Sequence, residues 1–319
     1  MTAAPGRRTG PNPGAKGTAP DSGAKGTAPN PGAKGTAPDS GAKGRAPDSG
    51  AKGRAPNPAP PTVCRVRVRF AKRGRLRFAS HRDIARAFER AVRRARLPVA
   101  RSHGFSPHPR LSWVGAAPTG TASEAEYVEI GLTEPVPPHR LTAELAAALP
   151  PGLDVLAAVT AEPGDPALAD LIDATRWRIE LPGVAQSVLA DSVRKLLATE
   201  TAVVRRATKN GPRPVDVRAA LVSVLVEDPA KPGGTVSGRS EDAGGTRCAI
   251  MTAVVRQAKP AVRPDDVLGA LQLVADLRPP VPALAIRLAQ GLLDERGRLA
   301  DPFEHRIAVL PEVGGDRES

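Results

Sequence analysis

Val66, Val68 and Phe70 alternate with Arg65, Arg67 and Arg69, the two-residue period of a half-buried strand whose outer face carries three guanidiniums. A Lys72-Arg73-Gly74 turn and a short extended Leu76-Arg77-Phe78 follow. Ser80 and Asp83 then stand three residues apart ahead of an apolar stripe, the pattern of a reciprocal helix cap, and predict a helix reaching about Arg96. At about 100° per residue, Ile84, Phe88, Val92 and Ala95 share one side of that helix while Arg82, Arg86, Arg90 and Arg93 cluster opposite. One stripe is expected to anchor the helix and the other to present a row of arginines.

Pro98 to Trp113 reads as a strand, a loop rich in Pro, Gly, Ser and His, and a second strand. Val128, Ile130 and Leu132 share one face of the next strand. Leu141 to Leu149 is helical, Pro150-Pro151-Gly152 stops it, and Leu153 to Val159 returns as a strand. After a break at Glu162-Pro163-Gly164-Asp165-Pro166 a similar alternation recurs. It comprises a strand at Trp177 to Leu181, a helix at Val188 to Leu197 and a hairpin from Val203 to Val217 closed through Asn210-Gly211. Strands at Leu221 to Glu227 and Cys248 to Val255 flank a Gly/Ser/Pro-rich loop, and a helix at Asp265 to Ala275 leads into a strand from Ala283 to Leu288. The order β, α, β, β, α, β, met twice, predicts an α+β protein of two ferredoxin-like α/β sandwich units with antiparallel sheets. The first is expected over 62–161, the second over 174–292, and a C-terminal tail over 293–319.

Ahead of these, residues 14 to 58 are five copies of a nine-residue unit, Gly-Ala-Lys-Gly-Thr/Arg-Ala-Pro followed by Asp-Ser or Asn-Pro. With no large apolar residue in any copy, residues 1–61 are expected to be a disordered tail. It reads as a solvated spacer before it reads as a Lys-bearing arm for nucleic acid.

Charge changes the picture more than composition does. Between Arg65 and Arg110 stand fifteen Lys and Arg against Asp83 and Glu89, a local +13 that equals the net charge of the whole chain. From Leu111 onward acids outnumber bases, 28 to 22. Basicity placed in one window points to a polyanion partner. Arg65, Arg67, Arg69, Lys72, Arg82, Arg86, Arg90, Arg93 and Arg110, with Lys209 in the later hairpin, are the candidate nucleic-acid contacts, and RNA is the expected partner. Two cysteines, Cys64 and Cys248, cannot form a disulfide framework or a four-cysteine zinc site. No apolar run reaches the ~20 residues of a membrane span, so no membrane partner and a cytoplasmic setting are expected.

The same window holds three of the five histidines, in Ser80-His81-Arg82-Asp83 and Ser102-His103-Gly104-Phe105-Ser106-Pro107-His108-Pro109. His81 in a first helical turn would be held neutral by the helix dipole, which suits proton acceptance. With Asp83 orienting it and His108 near a substrate, a catalytic reading on a nucleotide or modified base stands beside the capping role of Ser80 and Asp83. In the second motif Pro107 and Pro109 stiffen the loop, Gly104 permits the turn, and Phe105 is expected to anchor against the core. Glu124 and Glu126, in Gly120-Thr121-Ala122-Ser123-Glu124-Ala125-Glu126-Tyr127, read first as an ordinary polar loop and second as a base or metal ligand. No spacing supports a metal site, and no phosphate-binding lysine loop, dinucleotide fingerprint or nucleophile elbow is present, so no metal or cofactor is expected.

Taken together, Arg75 to Asp83, Ser102 to Ser112, Pro118-Thr119-Gly120 with Ser123-Glu124 and Glu126-Tyr127, and Thr208-Lys209 with Val215 to Arg218 resemble the radical-SAM-associated family. This is a bacterial domain of unknown function found alone or behind a radical SAM domain. The resemblance covers about Val63 to Val255, and its Gly-Phe-Ser-Pro-His-Pro box is the most specific part. It implies a link to RNA or translation; a further reading makes the chain a scaffold whose arginines meet acidic residues of a radical SAM or RNA-processing protein. Ser80, His81, Asp83, Gly104, Phe105, Pro107 and His108 match the family's motifs; His103 stands where a glutamine is expected. The three-cysteine cluster motif is missing, so the chain cannot cleave S-adenosylmethionine by that route and no intrinsic activity is assigned.

Overall fold

The computed structural model describes residues 60–227 and 248–303. The repeat tail up to residue 59, most of the Gly/Ser/Pro-rich segment after Glu227 and the tail beyond Phe303 lie outside the described residues. In chain order the first half holds β1 (Cys64–Lys72), α1 (His81–Arg94), β2 (Leu111–Val114), β3 (Ala122–Leu132), α2 (Pro138–Ala148) and β4 (Leu153–Ala161). The second holds β5 (Ala174–Pro182), α3 (Gln186–Ala198), the hairpin β6 (Val203–Arg206) and β7 (Arg213–Asp216), and the short α4 (Val217–Ala220). It continues with β8 (Leu221–Val226), β9 (Cys248–Arg256), α5 (Pro264–Ala275), β10 (Leu284–Leu293) and β11 (Leu299–Ala300).

Each half follows the same winding. β3 is flanked by β1 and β2 over the same residues, with Val128 opposite both Val68 and Trp113, so the first order is β4-β1-β3-β2. The second is β10-β5-β9-β8. Numbered by position within each βαββαβ repeat, both read 4-1-3-2, antiparallel throughout, with the β6–β7 hairpin and α4 inserted after α3. The fold is α+β, as the alternation predicts.

The sequence gives no hint that the two sheets are joined. β3 is eleven residues long, and its first residues, Ala122 and Ser123, pair in parallel with Ile286 and Arg287 of β10. One nine-stranded sheet results, and the described residues fall within one compact unit.

Side-chain alternation decides what covers each face. Val66, Val68 and Phe70 join Ile84, Phe88 and Val92 of α1 and Leu141 and Leu145 of α2 in one core. Trp177, Ile179 and Leu181 join Leu189, Val193, Val267 and Leu271 of α3 and α5 in another. Each such side chain taken from water is worth about 1.5–3 kcal/mol, which is what fastens α1 by its apolar stripe. Cross-strand neighbours point the same way, so Glu126 opposite Phe70 and Arg287 opposite Trp177 lie on this helix-bearing side. The opposite side of the first half is covered by a 3-10 turn at Leu168–Leu171 and by the segment ending at Phe303, where Ala125, Tyr127, Leu168, Ile172 and Phe303 pack together.

One local expectation is corrected. Leu76-Arg77-Phe78 is not extended but belongs to a 3-10 helix, Gly74–Phe78, closed by Leu76 N–H on Arg73 O at 3.1 Å and Ala79 N–H on Leu76 O at 2.9 Å. Gly74 takes φ of 53°, which lets the chain turn off β1 there.

Candidate functional site

Helix α1 starts as its sequence predicts. Ser80 N–H donates to Asp83 Oδ2 at 3.1 Å, the Ser80 hydroxyl donates to the same oxygen at 2.7 Å, and Asp83 N–H donates to Ser80 Oγ at 3.3 Å. These bonds, the hydroxyl's first, hold the Asp83 carboxyl below its ordinary range. His81 is exposed and stacks edge-on against Trp113, ring centroids 5.4 Å apart. Trp113 also meets Phe70 and Phe88, so the imidazole caps the outside of an aromatic cluster.

Downstream of α1 the Ser/His/Pro motif forms a small braced hairpin. Arg101 bridges Pro109, Ser102 N–H donates to His108 O at 2.8 Å, and His108 N–H donates to Ser102 Oγ at 3.0 Å. Gly104, at φ of 125°, sits at the tip in backbone that side-chain-bearing residues rarely adopt. Phe105 beside it is 79% exposed. This corrects the expectation that it anchors against the core; the hairpin is held at its base by backbone bonds and needs no apolar anchor. Phe78 is also exposed, with the Arg77 guanidinium 4.7 Å above its ring.

The structure does not gather His81, Asp83 and His108 into one catalytic group. His81 and His108 flank opposite ends of β2, Asp83 is occupied by Ser80, and no hydrogen bond or ion pair joins the three among the described residues.

The basic residues divide into two sets. Arg82, Arg86, Arg90 and Arg93 are exposed along the outer face of α1; only Arg93 holds a carboxylate, Glu89 at 3.7 Å. Arg110 is exposed and reaches Thr62 Oγ1 at 3.4 Å, and Lys209 is exposed in the turn between β6 and β7. The second set is withdrawn. Arg67 is buried against Glu129 at 3.1 Å and Asp165 at 3.8 Å; Arg69 is half-buried and paired with Asp301; Arg65 is exposed but lies 3.8 Å from Glu129. Lys72 is fully buried. Arg67 and Arg69 are therefore not the open cationic strand face that the alternation suggests, and Lys72, expected as a nucleic-acid contact, is buried. Alternation identifies a face but not what covers it, and here later segments of the chain supply the cover.

Lys72 belongs to a charged group at the seam between the halves. A bulge after Phe70 lets Lys72 extend its Nζ to Pro118 O at 3.1 Å and Ala117 O at 3.4 Å. Glu126, at 3% exposure, accepts from Arg287 Nη1 at 2.9 Å and from Ala117 N–H at 3.0 Å. Arg287 also donates to Gly115 O and lies 4.8 Å over the Trp177 ring. Burial lowers the pKa of Lys72, with Glu126 opposing it and Arg287 adding to it; burial likewise lowers that of Arg287. Glu126 is thus the shared counter-ion of two buried cations and not a free base. Glu124, the other acid of that motif, pairs with Arg73. Arg287 is the residue sequence reasoning missed. Its signal was a lone guanidinium inside the apolar run Ala283 to Leu288, where a buried charge requires a partner.

The molecule is a doubled 4-1-3-2 sandwich with an arginine-lined helix face and a braced loop that exposes an aromatic ring. Residues 65–264 match the family described as uncharacterized protein conserved in bacteria (DUF2344), and the chain belongs to that family. A comparison with curated proteins gives no match. No helix among the described residues is long and apolar enough to cross a membrane.

Proposed function

We propose that the protein is an RNA-binding accessory factor, acting in RNA modification, processing or ribosome-linked metabolism, and that it takes single-stranded RNA on the α1 side of its first half. The observation that carries this reading is Phe105, 79% exposed on a hairpin braced at its base, inside the most basic window of the chain. An exposed ring on a stiff loop is a stacking surface for an unpaired base, whatever its identity. Arg82, Arg86 and Arg90 follow one another at about 6 Å along α1 and hold no carboxylate among the described residues, which leaves them available to phosphates. Phe78, with Arg77 over it, offers a second ring at the start of the same helix.

The resemblance to radical-SAM-associated proteins supports a role beside an enzyme that carries out the chemistry, since this chain has two cysteines and no cluster motif. The rival reading, an enzyme using His81, Asp83 and His108, gains no support from residues that lie apart. Fluorescence anisotropy with a labelled oligouridine is the test. The expected result is binding at low salt whose log K falls against log salt with a slope of about −3, as roughly four phosphate contacts to a single strand require. Absence of binding at low salt, or a slope near zero, overturns the proposal.

A further inference from the structure

The helix-free face carries a second feature, unrelated to α1. β10 pairs with β3 only at Ile286 and Arg287 and then parts from it; further along, the same edge of β3 is taken by β2. Gln290 spans the resulting fork by donating Nε2–H to Ala125 O at 2.6 Å. The fork leaves a cavity of about 210 Å³ on the face away from the helices, lined among others by Arg69, Ala125, Tyr127, Arg176, Gln290 and Asp301.

Its polar groups are unevenly satisfied. Arg69 is paired with Asp301 through Nη1, yet its Nε–H is buried without a partner. The Arg176 side chain, partly buried, makes no hydrogen bond or ion pair among the described residues. Tyr127 lines the same space beside Arg69. Among the described residues, two guanidiniums therefore meet one carboxylate, leaving an excess positive charge and an unused Arg69 donor in a partly enclosed space. A half-buried arginine without a counter-ion is costly unless an anion arrives.

We infer that the fork between β3 and β10 is a binding site for a small phosphate-bearing molecule, held by Arg176 and Arg69 with Tyr127 as a further donor. Donors from three strands suit a tetrahedral anion with several oxygens better than a planar carboxylate with two. At about 210 Å³ the cavity admits a phosphate with a small organic body and is below the usual range for larger ligands. Asp301 occupies Arg69 in the ligand-free chain and competes with the incoming anion.

Isothermal calorimetry with inorganic phosphate on the full chain tests this. The expected result is one saturable site; Arg176→Ala weakens it at least about tenfold, Asp301→Asn tightens it, and Arg86→Ala with Arg90→Ala leaves it unchanged. The unchanged α1 variant separates this site from the RNA face, so either reading can fail while the other stands. Arg176 is partly exposed and unpaired, and circular dichroism confirms folding; Arg176→Gln replaces the alanine variant should that one not fold. The inference is overturned if phosphate does not bind at about 10 mM, if removing Arg176 leaves its affinity unchanged, or if acetate binds equally well.

Discussion

Single side chains decide two outcomes. Phe105 contributes almost nothing to the core, so Phe105→Ala is expected to leave the thermal midpoint unchanged. It should nevertheless weaken single-stranded RNA binding by about 1–3 kcal/mol, the worth of one base stacked on a ring, as anisotropy would read directly. A loss of folding instead would mean that the ring has a structural role. Glu126 behaves oppositely. Glu126→Gln leaves Lys72 and Arg287 buried without their shared counter-ion and is expected to cost about 3–5 kcal/mol in a urea unfolding series. Lys72→Met removes one of the two cations and is expected to be far milder. An equal cost for the two changes would contradict the role given to Glu126. None of this group was legible locally, because Glu126 and Arg287 are 161 positions apart. The cover over Arg69 is not local either, as its partner Asp301 is 232 positions away.

At the scale of the element, α1 shows where sequence reasoning succeeds and why. A cap motif and a 3.6-residue stripe are local properties, and both Ser80–Asp83 and Ile84–Phe88–Val92 stand as the pattern implies. The alternation in β1, β3 and β5 was legible on the same grounds. The fused sheet was not, since the two-pair contact of Ala122 and Ser123 with Ile286 and Arg287 leaves no periodic mark. Loss of the α1 cap has a measurable signature. Ser80→Ala is expected to lower the thermal midpoint by about 2–4 °C at neutral pH. Asp83 is held by Ser80 below its unfolded value, so the cap stabilises above the ordinary carboxylate range and that contribution fades as pH falls through the lower folded value. The gap between wild type and Ser80→Ala should therefore narrow in acid. A gap that widens as pH falls would show that the Ser80–Asp83 bonds do not set the cap's pH dependence.

For the whole molecule, the placed charge resolves into two uses. Part of the basic window is internal wiring: Arg67 pairs with Glu129, Lys72 lies buried near Glu126, and Arg69 pairs with Asp301 on the helix-free face. The arginine row of α1, Arg82, Arg86, Arg90 and Arg93, and Arg110 beside the Phe105 hairpin stay open to solvent. This division narrows the RNA reading from a broad cationic patch to one helix face and one loop. Ultraviolet cross-linking of the full chain to oligouridine, followed by mapping of the modified peptides, tests it most directly. The account predicts cross-links at Phe105 and Phe78, reduced by Arg86→Ala with Arg90→Ala. Cross-links confined to other parts of the chain, or none at low salt, would contradict it.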